Sequence, residues 1–270
     1  MLDILERAPI FPVSGGLPLK DALATCPRLR DYLIKKDPPK IDLQNREALR
    51  LYNTAIAKQV FGLELHLEDF AGLIPTPVLR YNFLKHLNPQ NQRILEVGTG
   101  YTAIISMLAA KHFNAQCVAT ELNPDSIQGA LSHITLNNLE EKITILPAKE
   151  GKLIAGVVPE GELFDLVITN PPYYYEILSP KVIWAGNPDE LLIQKEGQEN
   201  FCVQFFREAD PYLKPGGSSA MLVSGKQTQI LEEIFAALDD NGCAKEVIGL
   251  RAGTRIRWLI RAYSTASASI

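Results

Sequence analysis

Asn170-Pro171-Pro172-Tyr173 closes the apolar run Phe164-Asp165-Leu166-Val167-Ile168-Thr169 and supplies groups suited to holding a planar primary amine. An amide side chain, carbonyls of a proline pair without N–H donors, and an aromatic face meet at the carboxyl end of an expected strand, where open α/β sheets bind ligands. A second constellation lies upstream. Glu96-Val97-Gly98-Thr99-Gly100-Tyr101-Thr102 ends another apolar run, and its glycines permit a tight turn that brings backbone close to a ligand at a helix N-terminus. About 20 residues on, Thr120-Glu121-Leu122-Asn123 ends the next run with the kind of acid that holds ribose hydroxyls in nucleotide-binding α/β folds. The two together specify a nucleoside-containing cofactor. A dinucleotide is disfavoured, because its fingerprint needs a third glycine that this turn lacks.

The elements that must position these residues are apolar runs alternating with helical segments, the pattern of a parallel sheet with crossover helices. Strands are expected at 93–97, 116–121, 143–147, 166–169, 219–223, 244–249 and 255–262, with helices at 102–111, 124–137, 199–212 and 227–238. The last two strands follow one another without a long helix between them, which predicts an antiparallel terminal pair in a seven-stranded, mostly parallel α/β sheet. Residues 1–80 read as a small, mainly helical extension to a domain spanning 81–270. Within the extension the spacing predicts a short helix over 21–36, a break at Asp37-Pro38-Pro39, and an amphipathic helix from Asn45 to Gly62 on Leu49, Tyr52, Ile56 and Val60. The segment from Glu176 to Ile193, with Trp184, Gly186 and Pro188, is expected to form a flap over the site. The Ser/Ala tail at 264–270 is expected to fray.

With 270 residues, 46% of them hydrophobic, the chain is long enough for one large core plus an appendage. It carries no apolar run that would span a bilayer and no basic-then-apolar start, so it is expected to be soluble and cytoplasmic, or nuclear if eukaryotic. Cys26, Cys117, Cys202 and Cys243 are too scattered for a zinc site or a disulfide framework and are expected as free buried thiols. His66, His86, His112 and His133 form no ligand motif, so no metal is implied. A net charge of −4 argues against bulk electrostatic grip on nucleic acid. Any such contact must be local. The basic concentration near the expected sheet end is Lys226, Arg251, Arg255, Arg257 and Arg261, either an RNA grip or solvated edge charges that discourage aggregation. Arg255, Arg257 and Arg261 share one face by the period of two.

The acidic Glu-x-Gly-x-Gly turn resembles the first motif of the class I S-adenosylmethionine methyltransferases, which have a Rossmann-like fold. Leu73-Ile74-Pro75-Thr76-Pro77-Val78-Leu79-Arg80-Tyr81-Asn82 narrows the resemblance to the RNA adenosine N6-methyltransferases that include the U6 snRNA enzyme, methyltransferase-like protein sixteen, and more distantly the bacterial rRNA enzyme RlmF. Further matches are Asp42-Leu43-Gln44-Asn45-Arg46-Glu47-Ala48, Phe61-Gly62-Leu63, Glu196-Gly197-Gln198-Glu199 and Arg251-Ala252-Gly253-Thr254-Arg255-Ile256-Arg257-Trp258. The resemblance implies S-adenosylmethionine as cofactor. Arg80 would pair with its carboxylate, Gly98 and Gly100 would contact its amino acid part, Glu121 would hold its ribose, and Glu96, Thr102 and Asn170 would complete the site. Taken alone, Arg80 could equally be a solvated helix residue. The resemblance further implies that the Asn170 side-chain oxygen and the Pro171 carbonyl accept hydrogen bonds from the amine to be methylated, while Tyr173 stacks on the base and Pro172 stiffens the turn. Lys226, Arg255 and Arg257 are the candidate substrate contacts, and the partner is RNA with an unpaired or flippable adenosine.

Two departures limit what carries over. Gly197-Gln198 stands where the family has a glycine pair, and the protein is expected to be without the long C-terminal RNA-binding region of the eukaryotic member. Three alternatives stay open: a protein glutamine N5-methyltransferase or a guanine N2-methyltransferase using the same tetrapeptide, and a catalytically silent scaffold of this fold.

Overall fold

The computed structural model describes residues 2–68, 70–174, 192–193 and 200–264. Its centre is an eight-stranded sheet with the order β1-β11-β12-β10-β7-β4-β5-β6. The strands are β1 (Ile10–Pro12), β4 (Arg93–Val97), β5 (Gln116–Glu121), β6 (Ile143–Pro147), β7 (Phe164–Thr169), β10 (Leu213–Ser224), β11 (Lys245–Ala252) and β12 (Arg255–Tyr263). A hairpin, β2 (Leu33–Lys36) with β3 (Pro39–Ile41), stands apart from it. So does a two-residue parallel ladder, β8 (Tyr173–Tyr174) with β9 (Leu192–Ile193). β12 runs antiparallel to both β10 and β11, which gives the terminal pair its direction.

All seven expected strands take part, and β1 joins as an eighth, parallel to β11. Ile10-Phe11-Pro12 is too short and too close to prolines and glycines to read as a strand. Its pairing comes from the sheet edge rather than from local preference.

Helices cover both faces. Along β4, Ile94 packs with Ile56, Phe61, Phe83 and Leu108 on one side, while Leu95 and Val97 pack with Phe205, Ile230 and Phe235 on the other. The first face carries α3 (Arg46–Phe61), α4 (Pro77–Leu87), α5 (Ile104–Phe113) and α6 (Pro124–Leu136). The second carries α7 (Phe201–Ala209) and α8 (Thr228–Asp240), while α1 (Leu2–Arg7) and α2 (Leu19–Thr25) lie in the N-terminal segment. α4 straddles residue 80, and Leu63, Leu65 and Leu67 share the core of the sheet, so the extension and the sheet pack as one body.

α3 forms as expected between its two stop signals. The Asn45 side chain accepts hydrogen bonds from Glu47 N at 2.9 Å and Ala48 N at 3.1 Å, and Gly62 ends the helix in the left-handed region at φ 62°.

Two expectations fail locally. The helix expected over 21–36 stops at Thr25, continues as a 3-10 turn over Pro27–Tyr32, and then becomes the β2–β3 hairpin. Pro27 removes a helical donor, and Asp37-Pro38-Pro39 provides the reversal that lets Leu33-Ile34-Lys35-Lys36 pair. The helix expected from Thr102 starts at Ile104, because Ala103 sits at φ 47° and is not helical. Of the four free thiols, Cys117 and Cys202 are buried but Cys26 and Cys243 are half-exposed. Among the described residues no helix is long and apolar enough to cross a membrane, and no group of His, Cys, Asp and Glu could hold a metal ion.

Candidate active site

In the sheet register Val97 lies beside Thr120 of β5 and beside Thr169 of β7. The next residue of each strand therefore stands at one edge: Glu121, Gly98 and Asn170 in a row, with neighbours ~4.8 Å apart across the strands. The sequence puts these residues at strand ends, and the register makes them adjacent.

The turn between β4 and α5 is held from both sides. Gly98 and Thr99 donate to the Thr120 carbonyl at 3.0 and 2.9 Å, and Gly100 N donates to Glu121 Oε2 at 2.8 Å. Gly98 and Gly100 have φ of 72° and 70°, and a Cβ at either would meet no heavy atom within 4 Å. The glycines are thus required by conformation, and the space before them is open to a ligand. Glu121 Oε1 accepts from Leu122 N and Asn123 N, which fixes the carboxylate. Among the described residues Oε2 takes a single donor, which leaves a lone pair for a hydroxyl. Thr102 is buried at the end of the turn.

Glu96 lies beneath the turn with only 2% of its surface exposed. Its Oε2 accepts from Thr99 Oγ1 at 2.9 Å, from Ser106 N at 3.0 Å and from the Ser106 hydroxyl. Burial outweighs these donors and, with a smaller push from Glu121, raises the carboxyl to about 7. All three protein donors converge on Oε2, leaving Oε1 for a cationic ligand. A carboxyl raised in the folded state stabilises the fold fully below its ordinary value of 4.5. That contribution fades as pH rises through about 7 and is absent above it. The cost of ionising it in place is about 3 kcal/mol. Glu96→Gln should therefore raise the melting temperature of the ligand-free protein by roughly 5–10 °C at pH 8 and much less at pH 5. Equal shifts at the two pH values in thermal melts would refute this.

α4 brings Arg80 over the same face. The guanidinium donates to the Thr76 hydroxyl and has no acidic partner among the described residues. Burial, and then the like charge of Arg257, lower it to about 10, against a smaller opposite pull from Glu96. Its surface is part-exposed, so a ligand can reach the cation. A partly desolvated cation without an acidic partner among the described residues is matched by a ligand carboxylate.

Asn170 follows β7, whose end is pinned to β4 by the Thr169 hydroxyl donating to the Val97 carbonyl at 2.8 Å. Among the described residues neither the Asn170 side chain nor the Pro171 carbonyl has a hydrogen-bond partner, and Asn170, Pro171 and Pro172 are all half-buried. Two acceptors are thus presented beside the glycine turn with no donor on them among the described residues. The Tyr173 ring lies outside the described residues, as do Trp184, Gly186, Pro188 and Gly197-Gln198. Of the expected flap, Leu192 and Ile193 are described, and they pair with Tyr173 and Tyr174.

Antiparallel pairing places Arg255 and Arg257 at the carboxyl edge of the sheet, with Lys226 in the turn after β10. Arg257 donates to Ser224 Oγ at 3.2 Å. Arg261 is four residues down β12, bonded to Ser218 Oγ at 2.9 Å and lying over the Tyr263 ring, so it stands away from this edge. Arg251 ends up near Arg255 through the β11–β12 turn.

Two features went unread in the sequence. Thr169 is one; its hydroxyl needs a neighbouring strand to have meaning. The other is the β2–β3 hairpin, whose exposed Lys35, Lys36 and Lys40 pair with no acid among the described residues. The charge run Lys35-Lys36-Asp37-Pro38-Pro39-Lys40 was its available signal. The hairpin leads into the N-terminal end of α3, which is tied to the glycine-turn side of the sheet, whereas Phe61 and Gly62 at the other end bond to His112 and Lys111 at the far end of α5.

A family model described as RNA methyltransferase matches residues 19–248. A Methanocaldococcus jannaschii protein carried under a provisional methyltransferase name is 31% identical over 259 residues, covering 91% of this chain and 98% of that protein. The ribosomal RNA large subunit methyltransferase F of Stutzerimonas stutzeri is 25% identical over 178 residues, covering 60% of this chain and 54% of that one. The N-terminal domain of human METTL16, solved in complex with SAH, is 19% identical and covers 92% of this chain and 94% of that one with a TM-score of 0.71, a likeness of fold.

Proposed function

From the premise that this chain belongs to the RNA methyltransferase family, we propose that it methylates the N6 amine of an adenosine in structured RNA. The cofactor is S-adenosylmethionine, which when bound supplies an electrophilic methyl on a sulfonium sulfur. The residues present fit it. Arg80 matches its carboxylate, Glu96 Oε1 its ammonium, the open space at Gly98 and Gly100 its amino acid chain, and the spare lone pair of Glu121 its ribose.

The observation that carries the substrate reading is the pair of acceptors at Asn170 and Pro171, which no donor among the described residues satisfies. An amine conjugated to a purine is a poor nucleophile because its lone pair is delocalised into the ring. Two acceptors on its two hydrogens draw density back onto nitrogen and fix the lone-pair direction. No strong base is needed, since the proton becomes acidic only as the new bond to carbon forms and can then leave to water. The Thr169 clamp on Val97 keeps these acceptors in register with the glycine turn, so orientation supplies much of the rate. Tyr173 is assigned the stacking face and Pro172 the stiffness of the turn.

RNA is favoured over a protein glutamine amide by where the basic residues stand. Arg255, Arg257 and Lys226 line one side of the edge, and the β2–β3 hairpin enters α3 on the same end of the fold. The target adenosine would have to be unpaired or flipped to reach Asn170, a cost that is smallest in a loop or bulge. Transfer of labelled methyl from S-adenosylmethionine to total RNA, followed by nucleoside analysis, tests the proposal. Label in N6-methyladenosine supports it; label in N2-methylguanosine or in protein alone replaces it.

Reversing the hairpin charge should separate RNA grip from chemistry. Lys35→Glu with Lys36→Glu and Lys40→Glu is expected to weaken RNA binding at least about tenfold at moderate salt and flatten its salt dependence. Cofactor affinity should remain unchanged. Filter binding across a salt series measures it, and an unaltered slope would remove the hairpin from the RNA path.

A further inference from the structure

We propose that Arg46 is a positioning residue for the cofactor site, acting from the first turn of α3 on the backbone of residues 70–72. The inference rests on the S-adenosylmethionine reading above. Arg46 Nη2 donates to the Phe70 carbonyl at 2.8 Å and to the Gly72 carbonyl as well. These carbonyls belong to a stretch outside any helix or strand, so the charge-assisted bonds from one guanidinium supply order that regular structure does not.

Two lines run from this staple into the site. Through the first, the Phe70 ring stacks on Tyr101 with centroids 4.3 Å apart and planes at 22°. Tyr101 directly follows Gly100, and its ring lies so close to α6 that a Cβ on Gly129 would come within 2.3 Å of it. The same ring lies T-shaped to His133, with centroids 5.5 Å apart. Gly129 and His133 hold Tyr101 on the α6 side, and Phe70 covers a face of its ring. The side chain anchoring the glycine turn is therefore enclosed only while residues 70–72 stay in place.

Through the second line, Gly72 leads by way of buried Ile74 to Pro75, Thr76 and Pro77, the start of α4. Two prolines in three residues leave little backbone freedom to absorb a shift at Gly72. The shift would pass to Thr76, which receives the Arg80 guanidinium, and so to the cation that meets the cofactor carboxylate. One side chain remote from the ligand thus sets both the turn and the counter-charge.

Cofactor calorimetry and urea melts with and without S-adenosylhomocysteine on wild type, Arg46→Lys, Arg46→Ala, Phe70→Leu and the Arg46→Ala/Phe70→Leu pair test this. Arg46→Ala should raise the cofactor Kd about tenfold, because the site must then be ordered at the expense of binding. Arg46→Lys should retain part of the affinity. The double variant should lose less than the product of the single losses, since both act on Tyr101. The stabilisation that the ligand adds should shrink with the affinity, whereas a merely structural role would lower both melts and leave their difference intact. A wild-type Kd in Arg46→Ala, independent effects in the double variant, or an intact difference between the melts would overturn the inference. Failure of wild-type protein to bind S-adenosylhomocysteine would instead overturn the functional reading beneath it.

Discussion

Asn170→Ala is expected to lose about 10³-fold in kcat while the cofactor Kd moves less than about threefold. The asymmetry follows from where the amide sits. It is beyond the end of β7, half-buried, and bonded to nothing among the described residues, so its removal leaves no orphaned partner there and little strain in the fold. Its contribution arises when the amine nitrogen attacks and its hydrogens become strong donors. A ground-state contact of ordinary strength would chiefly raise KM; one that strengthens during attack lowers kcat. Asn170→Asp is the more searching variant. It keeps an acceptor of the same reach but removes the amide N–H₂ and adds a negative charge, so partial activity would assign the effect to the oxygen. Single-turnover rates on the methyl-accepting RNA, with cofactor calorimetry alongside, separate the terms. Equal losses in cofactor affinity and turnover would make Asn170 a cofactor residue and leave the target amine without its acceptors.

How far such a site can be read from sequence depends on the range of the forces that build it. Local rules sufficed for the glycine turn, for Glu121 at the end of β5 and for the caps of α3. A positive φ, a strand end and an N-cap each depend on residues a few positions apart. Ala103 escaped because its φ of 47° is imposed by the surroundings on a residue that does not favour it. The hairpin at 33–41 escaped because its lysines and leucine fit a helix about as well as a strand until Pro27 and Pro38-Pro39 are weighed. β1 is three residues long and exists because β11 offers an edge. The Thr169 clamp and the Arg46 staple join residues 72 and 24–26 positions apart, and no periodicity records such contacts. Chemistry was therefore legible as residue types at strand ends, while its alignment became visible only with register and packing.

Arg80 tests that alignment from the cofactor side, and the expected result separates binding from folding. Arg80→Met should raise the cofactor Kd about 100-fold, the scale for losing one partner of a desolvated, hydrogen-bonded charge pair. In most proteins removal of a part-buried arginine also destabilises the fold. Among the described residues the guanidinium pairs with no carboxylate and bonds only to Thr76 within its own first turn, and the like charge of Arg257 outweighs a smaller pull from Glu96. The ligand-free protein thus bears the desolvation of a cation with little Coulombic return from its own groups. Methionine keeps the apolar stem and removes that burden, so the ligand-free melting temperature should hold or rise while ligand-induced stabilisation collapses. Arg80→Lys should fall between, since an ammonium keeps the charge but cannot meet a carboxylate with a planar fork. Thermal melts with and without S-adenosylhomocysteine read both effects in one experiment. A lower ligand-free melting temperature with unchanged ligand stabilisation would make Arg80 a structural residue of α4, and the counter-charge of the cofactor would have to be sought elsewhere on that face.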